Sequence, residues 1–370
     1  MRALHLPGVP AGEGPLYSFP HHPPPASALE YTPSRFPDPR PDEKYCYLVR
    51  VLATSFTRSE LTWGEVLDPS RFKPYGGAVP CHDVVGIIEK VVPANNGGKL
   101  FREGDRVWGL IDFDRDGAAA EYLIATEDEL CLPPSCPDGA EDNKWIEQLA
   151  TLPLSSLTAW QAVVVHGASL EQVKVNEHCR QVLVLGSGAV ATAAIELATN
   201  LGHGVTVVAS KRGAEILGDS VGSILSPGII IHDGDDLISR LTSSVFNLMK
   251  ADLIVDTMGG KTVSRLLTSP HLQQLVNPGA KFVSIAAPIS VLGKETEQEI
   301  KKNCEAAQIT CEFFVVRPNK EQLQKISTIV EAGKLTGYVD SVWPLEKGKE
   351  AMERVETRGA VRRGKVVVTI

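Results

Sequence analysis

Cys81, His82 and Asp83 stand side by side in "VPCHDVVGIIEKV". A thiol, an imidazole and a carboxylate are the groups that bind zinc or pair a nucleophile with its base. A second stretch, "VLVLGSGAVATAAIELA", spaces Gly186, Gly188 and Ala191 as G-x-G-x-x-A. That spacing suits a loop wrapped around a dinucleotide pyrophosphate.

The element carrying the triplet argues against its acting alone. The residues after it read as a β-strand, whose successive side chains point to opposite faces, so Cys81 and His82 do not converge on one atom. Partners for His82 have to come from elsewhere in the chain. A metal site, a nucleophile with its base and a feature of the strand all stay open at this point.

The glycine loop sits directly after a strand and before a helix, the context its chemistry needs. Gly186 permits the tight turn, Gly188 lets the backbone approach a pyrophosphate, and Ala191 keeps the helix close to the sheet. Ser187, Ala189 and Val190 complete the loop and open the helix, whose unpaired N–H groups favour phosphate. An NAD site ends the next strand with an acid that grips the ribose 2'-hydroxyl, but here the strand ends "VTVVASKRG". Ser210, Lys211 and Arg212 offer a hydroxyl and two cations instead, which fits the 2'-phosphate of NADPH rather than NADH. Ser284, Ile285 and Ala286 close the strand "KFVSIA" at its carboxyl edge, where doubly wound sheets bind ligands, and their backbone is expected to meet the carboxamide.

The chain has 370 residues, 43% hydrophobic and 22% charged, as expected for a soluble protein of two lobes. Its net charge of -8 gives no general attraction to nucleic acid or an anionic membrane, and a small-molecule substrate is expected. Basic residues form only short clusters, at Lys211-Arg212 and Arg362-Arg363. No stretch resembles a signal peptide, transit peptide or membrane span, so the expected location is the cytoplasm. Seven cysteines, an odd number without any C-x-x-C, argue against a disulfide framework, and Cys131 and Cys136 read as ordinary buried residues.

From Pro7 to Pro41 the chain is proline-rich and should run extended, with His21 and His22 as a solvated pair. Short apolar runs from Tyr45 onward, separated by Gly, Asp and Asn turns, have all-β texture. After about Ala150 the runs "QVLVLG", "GVTVVAS", "ADLIVDTMG" and "AKFVSIAA" are unbroken, as buried parallel strands are. They alternate with helical patterns, which predicts an α/β fold with a doubly wound sheet.

Taken in order, "CHDVVGIIEKV", "FREGDRVWGL", "GAAAEYLIA", "LPLSSLTAWQAVV", the loop at Gly186 to Ala191, "ADLIVDTMGG", "VNPGAKFVSIA" and "RGKVVVTI" resemble the medium-chain dehydrogenase/reductase superfamily. Within it the chain looks like the zinc-free quinone oxidoreductase-like and enoyl reductase-like members, over nearly its whole length. The resemblance implies a GroES-like β-barrel catalytic domain from residues 1–151 and 313–370, with a Rossmann NADPH-binding domain, 152–312, inserted. The cleft between them would hold nicotinamide and substrate. Where zinc-dependent members place a ligand thiolate, "FTRSELTW" has Thr57; His82 keeps the second ligand position, and "LPLSSLTAW" offers no third. Catalytic zinc needs three protein ligands, so no metal is expected.

The same resemblance makes Asp83 a structural acid and puts Cys81 where the family usually has glycine. Thr57, Ser59 and His82 become candidate donors to substrate, Trp63 a wall that stacks on a flat acceptor, and Thr158 a cofactor-positioning residue. Arg363 and Lys365 would approach the cofactor from the other domain, and the implied assembly is a homodimer. The expected activity is NADPH-dependent, metal-free hydride transfer to a quinone or an α,β-unsaturated carbonyl, in a biosynthetic pathway or elsewhere. The competing readings are a zinc alcohol dehydrogenase with unusual ligands and an NADPH-binding sensor or scaffold without catalysis.

Overall fold

The structure is a computed structural model and describes the chain apart from residues 11–12, 15, 19–20, 35, 43, 45, 65–66, 93–99, 168–178, 222–228, 232–233, 244–248, 358 and 360–362. Tyr45 and Arg362, both used above, lie outside the described residues. The chain divides into two compact units, Met1–Leu157 with Arg317–Ile370, and Thr158–Val316. These limits differ from 151/152 and 312/313 for local reasons. The N–H of Leu154 donates to Asp83 Oδ1 at 2.6 Å, which ties the start of the helix Pro153–Trp160 to the first unit. Strand Thr310–Phe313 pairs with Val276–Ser284, and the N–H of Phe314 donates to the Ser284 carbonyl at 3.3 Å, which holds these residues in the second.

The first unit is built on a seven-stranded sheet. Its order is Val339–Pro344, Lys365–Thr369, Tyr47–Ser55, Asp83–Val91, Arg106–Leu110 and Leu130–Cys131, with Tyr122–Ala125 also paired to Tyr47–Ser55. Only the first two strands run parallel. Alternation explains the central strand, where Tyr47, Val49, Val51 and Ala53 are buried while Leu48, Arg50 and Leu52 are partly exposed. Two registers matter for the site. Ala53 lies opposite Val85, so two residues on Ser55 faces Asp83; Val367 lies opposite Ser55, so Thr57 comes level with Lys365.

The second unit is a six-stranded sheet in the order Ile229–Ile231, Gly204–Ala209, Gln181–Leu185, Ala251–Asp256, Val276–Ser284 and Thr310–Phe313, parallel throughout. Its strands are buried on both faces, as their unbroken apolar runs require. The helix Ala189–Asn200 that follows the glycine loop ends in a left-handed Gly202 at φ +87°. There the N–H of His203 reaches the Ala198 carbonyl and that of Gly202 the Thr199 carbonyl, closing the last turn.

Candidate functional site

In the second unit Gly186 adopts φ +130°, and a Cβ built on it would stand 2.0 Å from Thr257 Oγ1, so both backbone and space demand glycine. Nothing lies within 4 Å of a Cβ at Gly188, which is exposed and caps the helix Ala189–Asn200. Ser187, Ala189 and Val190 are half-buried beside it. An open backbone at a helix N-terminus is what a pyrophosphate needs, so these residues fit the phosphates of a dinucleotide. At the end of the next strand Ser210 Oγ accepts from the N–H of Gly213 at 3.1 Å and caps the helix Lys211–Val221. Lys211 and Arg212 are exposed in its first turn.

Ser284 closes the strand Val276–Ser284, as expected from the sequence. It is buried and donates to Asp256 Oδ2 at 2.7 Å, while its own oxygen accepts from the N–H groups of Ala286 and Ala287. The N–H of Ile285 goes to the Asp256 carbonyl. The N–H groups of Ile285 and Ala286 are therefore occupied internally, so any contact to a carboxamide there is left to the carbonyls. Asp256 was not singled out from the sequence. Its other oxygen accepts from the N–H groups of Met258 and Gly259 at 2.9 Å, and burial pushes its carboxyl above the usual range. An acid between a buried run and the glycines of "DTMGG" was the available signal. Thr158 is buried at the start of this unit.

In the first unit the two strand registers assemble a polar cluster. Asp83 is fully buried, with Oδ1 accepting from Leu154 N–H and Oδ2 from Ser55 Oγ at 2.8 Å and from the Lys365 ammonium. Thr54 Oγ1 donates to the Asp83 carbonyl at 2.5 Å. Lys365 forms an ion pair with Asp83 and donates a second hydrogen bond to Thr57 Oγ1 at 3.1 Å. Two of its three N–H donors thus point to partners within the first unit. Arg363 likewise stacks its guanidinium 3.9 Å over the Tyr338 ring, so its observed partner is an aromatic face.

Glu60 completes the cluster and was missed as a site residue. Its Oε2 accepts from the N–H of Thr57 at 3.0 Å, while Oε1 is buried without a partner. Burial pushes its carboxyl up to about 8, against the pull of the Thr57 N–H and Lys365. The carboxyl is thus mainly protonated at neutral pH. The spacing T-x-x-E, in which the acid reaches back to the backbone of the first residue, was the sequence signal.

His82 does not fit the donor role the sequence suggested. Its Nδ1 lies 3.1 Å from the Ile111 carbonyl, which only accepts, so Nδ1 carries the proton and Nε2 is a bare acceptor. Nε2 is buried without a partner. Burial, then the nearby Arg71 cation, lower its pKa to about 3, and the ring stays neutral. Phe113 packs edge-on to it at 4.7 Å, and Trp63 lies 6.4 Å away and edge-on to Phe113 at 5.3 Å. Trp63 is thus part of an aromatic group around His82. Ser59 is exposed, with φ +63°, and its N–H donates to Glu356 Oε1 at 2.6 Å.

Cys81 also takes a left-handed backbone, φ +69°, although it carries a side chain. Such a conformation costs roughly 1–3 kcal/mol and needs support. Close approach of Gly117, where a Cβ would meet the Cys81 carbonyl at 2.0 Å, and a hydrogen bond from Ala118 N–H at 2.5 Å provide it.

A catalytic zinc does not fit this donor set. Among the described residues no group of three His, Cys, Asp or Glu side chains is arranged to hold a metal ion. The Thr57 oxygen already faces the Lys365 ammonium, a cation where a second cation would have to sit.

A glycine loop at a helix N-terminus on a parallel sheet, in a chain with a separate β-rich unit, is an architecture that nicotinamide-dependent oxidoreductases use. A family model described as zinc-binding dehydrogenase matches residues 230–368. The probable mitochondrial zinc-binding oxidoreductase of Arthroderma benhamiae is 30% identical over 94% of this chain and 94% of its own. The trans-enoyl reductase pgmF of Aspergillus terreus is 24% identical over 87% of this chain and 86% of its own. Among solved structures, the quinone oxidoreductase from Coxiella burnetii superposes with a TM-score of 0.72 at 20% identity, covering 100% of this chain and 99% of that one. The chain belongs to the zinc-binding dehydrogenase family of the medium-chain dehydrogenase/reductase superfamily.

Proposed function

We propose that the protein is an NADPH-dependent reductase that works without metal and transfers hydride to a quinone or an α,β-unsaturated carbonyl compound. The observation that carries the reading is the end of the strand Gly204–Ala209, where Ser210, Lys211 and Arg212 stand exposed and the segment 205–213 carries no acid. An acid there would repel a 2'-phosphate; two cations attract it. When bound, the cofactor supplies the hydride. The choice of acceptor follows from the first unit. With no group of three metal-ligating side chains among the described residues, the carbonyl would be polarised by its own conjugation and by hydrogen-bond donors such as Thr57. The name of the Aspergillus relative, a trans-enoyl reductase, supports the enone class.

The test is cofactor consumption by purified, chelator-treated protein with menadione and cyclohexenone, NADPH and NADH in parallel. NADPH should exceed NADH by about 10–100-fold in kcat/KM, the worth of a charge-assisted contact to the phosphate. Equal use of both, or activity that appears only on adding zinc, defeats the reading.

A further inference from the structure

Zinc in a dehydrogenase stabilises negative charge on the substrate oxygen, and at the position the family resemblance gives to a zinc-ligand thiolate this chain has Thr57. The Lys365 ammonium is fixed from behind by Asp83, whose carboxylate is itself held by Leu154 N–H and Ser55 Oγ. In front, Lys365 donates to Thr57 Oγ1 at 3.1 Å. Because that oxygen is already an acceptor, the Thr57 hydroxyl hydrogen is available to donate outward. Lys365 and Asp83 are buried, whereas Thr57 is half-exposed, so the chain of bonds runs from the interior toward solvent. A hydrogen bond polarised by a charged donor behind it is stronger than a lone hydroxyl, and more so in a dry surrounding.

We propose that Asp83, Lys365 and Thr57 form a relay that replaces the metal, with Thr57 as the catalytic donor to the substrate oxygen, Lys365 as the proton source behind it and Asp83 as the positioning residue. As hydride adds to the acceptor carbon, the π electrons move onto the acceptor oxygen. The Thr57 O–H bond breaks as the new substrate O–H bond forms, and one N–H proton of Lys365 passes to the Thr57 oxygen. The resulting neutral amine recovers its proton from water. The nicotinamide is oxidised, the acceptor reduced, and one solvent proton is taken up per hydride.

The chemistry of the relay rests on the reductase reading, so the test has one arm that needs turnover and one that does not. Thr57→Val removes the hydroxyl while keeping the shape, and Thr57→Ser retains it; partial exposure of Thr57 favours folding of both, checked by thermal melts. With menadione and NADPH, Thr57→Val should lose about 100-fold in kcat with little change in KM, and Thr57→Ser should recover most of it. Without cofactor, p-nitrophenolate serves as a stable oxyanion, and its visible absorbance reports binding. It should bind the wild-type protein at least ~10-fold more tightly than Thr57→Val, as expected when a charge-assisted bond is lost.

Unchanged kcat in Thr57→Val, or equal binding of p-nitrophenolate by both proteins, overturns the relay and leaves the reductase reading standing. No turnover by the wild-type protein, with p-nitrophenolate still discriminating, defeats the reading and restricts the relay to an oxyanion site. Should Thr57→Val not fold, Thr57→Ala makes the same comparison.

Discussion

Lys365 and Asp83 pair in the interior of the β-rich unit although 282 positions separate them in the chain. Removing one partner of a buried ion pair is far more damaging than removing both, because a single charge is then left without compensation. Lys365→Met should destabilise the protein by about 3–5 kcal/mol. The double variant Lys365→Met/Asp83→Asn should recover a large part of that. Urea midpoints of the two variants decide it, and a double variant no better than the single one would show that packing, not charge, holds the strand.

Glu60 makes stability depend on pH between about 4.5 and about 8. Its folded pKa of about 8 lies above the usual 4.5, so its contribution is whole below about 4.5 and is lost as pH rises toward about 8. The loss runs at up to ~1.4 kcal/mol per pH unit inside that window. Glu60→Gln keeps an acceptor for the Thr57 N–H and cannot ionise, so its thermal midpoint should be flatter than that of the wild type between pH 7 and 8. Identical slopes for the two proteins would mean that the carboxyl is solvated in solution.

His82 acts at the acid side with the opposite sign. Its folded pKa of about 3 lies below the usual 6.5, so its stabilisation is whole above about 6.5 and falls away as pH drops toward about 3. His82→Phe should therefore resist acid better than the wild type, with the gap opening below about pH 6. Nitrogen-15 NMR provides the direct check: a ring still neutral at pH 5, protonated on Nδ1, is the expected result, and an imidazolium there contradicts it.

Gly186→Ala places a methyl group where Thr257 Oγ1 stands and strains a backbone at φ +130°. Loss of NADPH affinity by at least ~10-fold is expected, with a lower melting temperature for the protein alone, since strain at such a position costs roughly 1–3 kcal/mol. Fluorescence titration with NADPH measures the first and calorimetry the second.

Most of the fold was legible because its signals are local. The unbroken runs around Val184, Val207 and Ile254 announced buried parallel strands, and the glycine at Gly186 follows from a positive φ that side chains rarely adopt, while Gly188 leaves the helix N-terminus open. The polar cluster was not legible in the same way. That Lys365 meets Thr57, 308 positions away, and Asp83 meets Ser55, 28 positions away, depends on strand register, and a change of one residue would turn each side chain to the other face. His82 shows a third case, in which the residue was found but its hydrogen-bond roles were not. Which ring nitrogen holds the proton is decided by the Ile111 carbonyl, and nothing near His82 in sequence announces that contact.

The interrupted connectivity of the first unit bears on how the protein comes to be folded. Residues 158–316 form a unit continuous in sequence, which can close on contacts among its own residues. The first unit cannot, because its strand Tyr47–Ser55 waits for Lys365–Thr369 as a neighbour. Pairing over so long an intervening chain is slow. The second unit is therefore expected to reach its native state before the first, in which Asp83 lacks its cation until Lys365–Thr369 has paired. Activity should consequently return later than nucleotide binding when the unfolded protein is refolded.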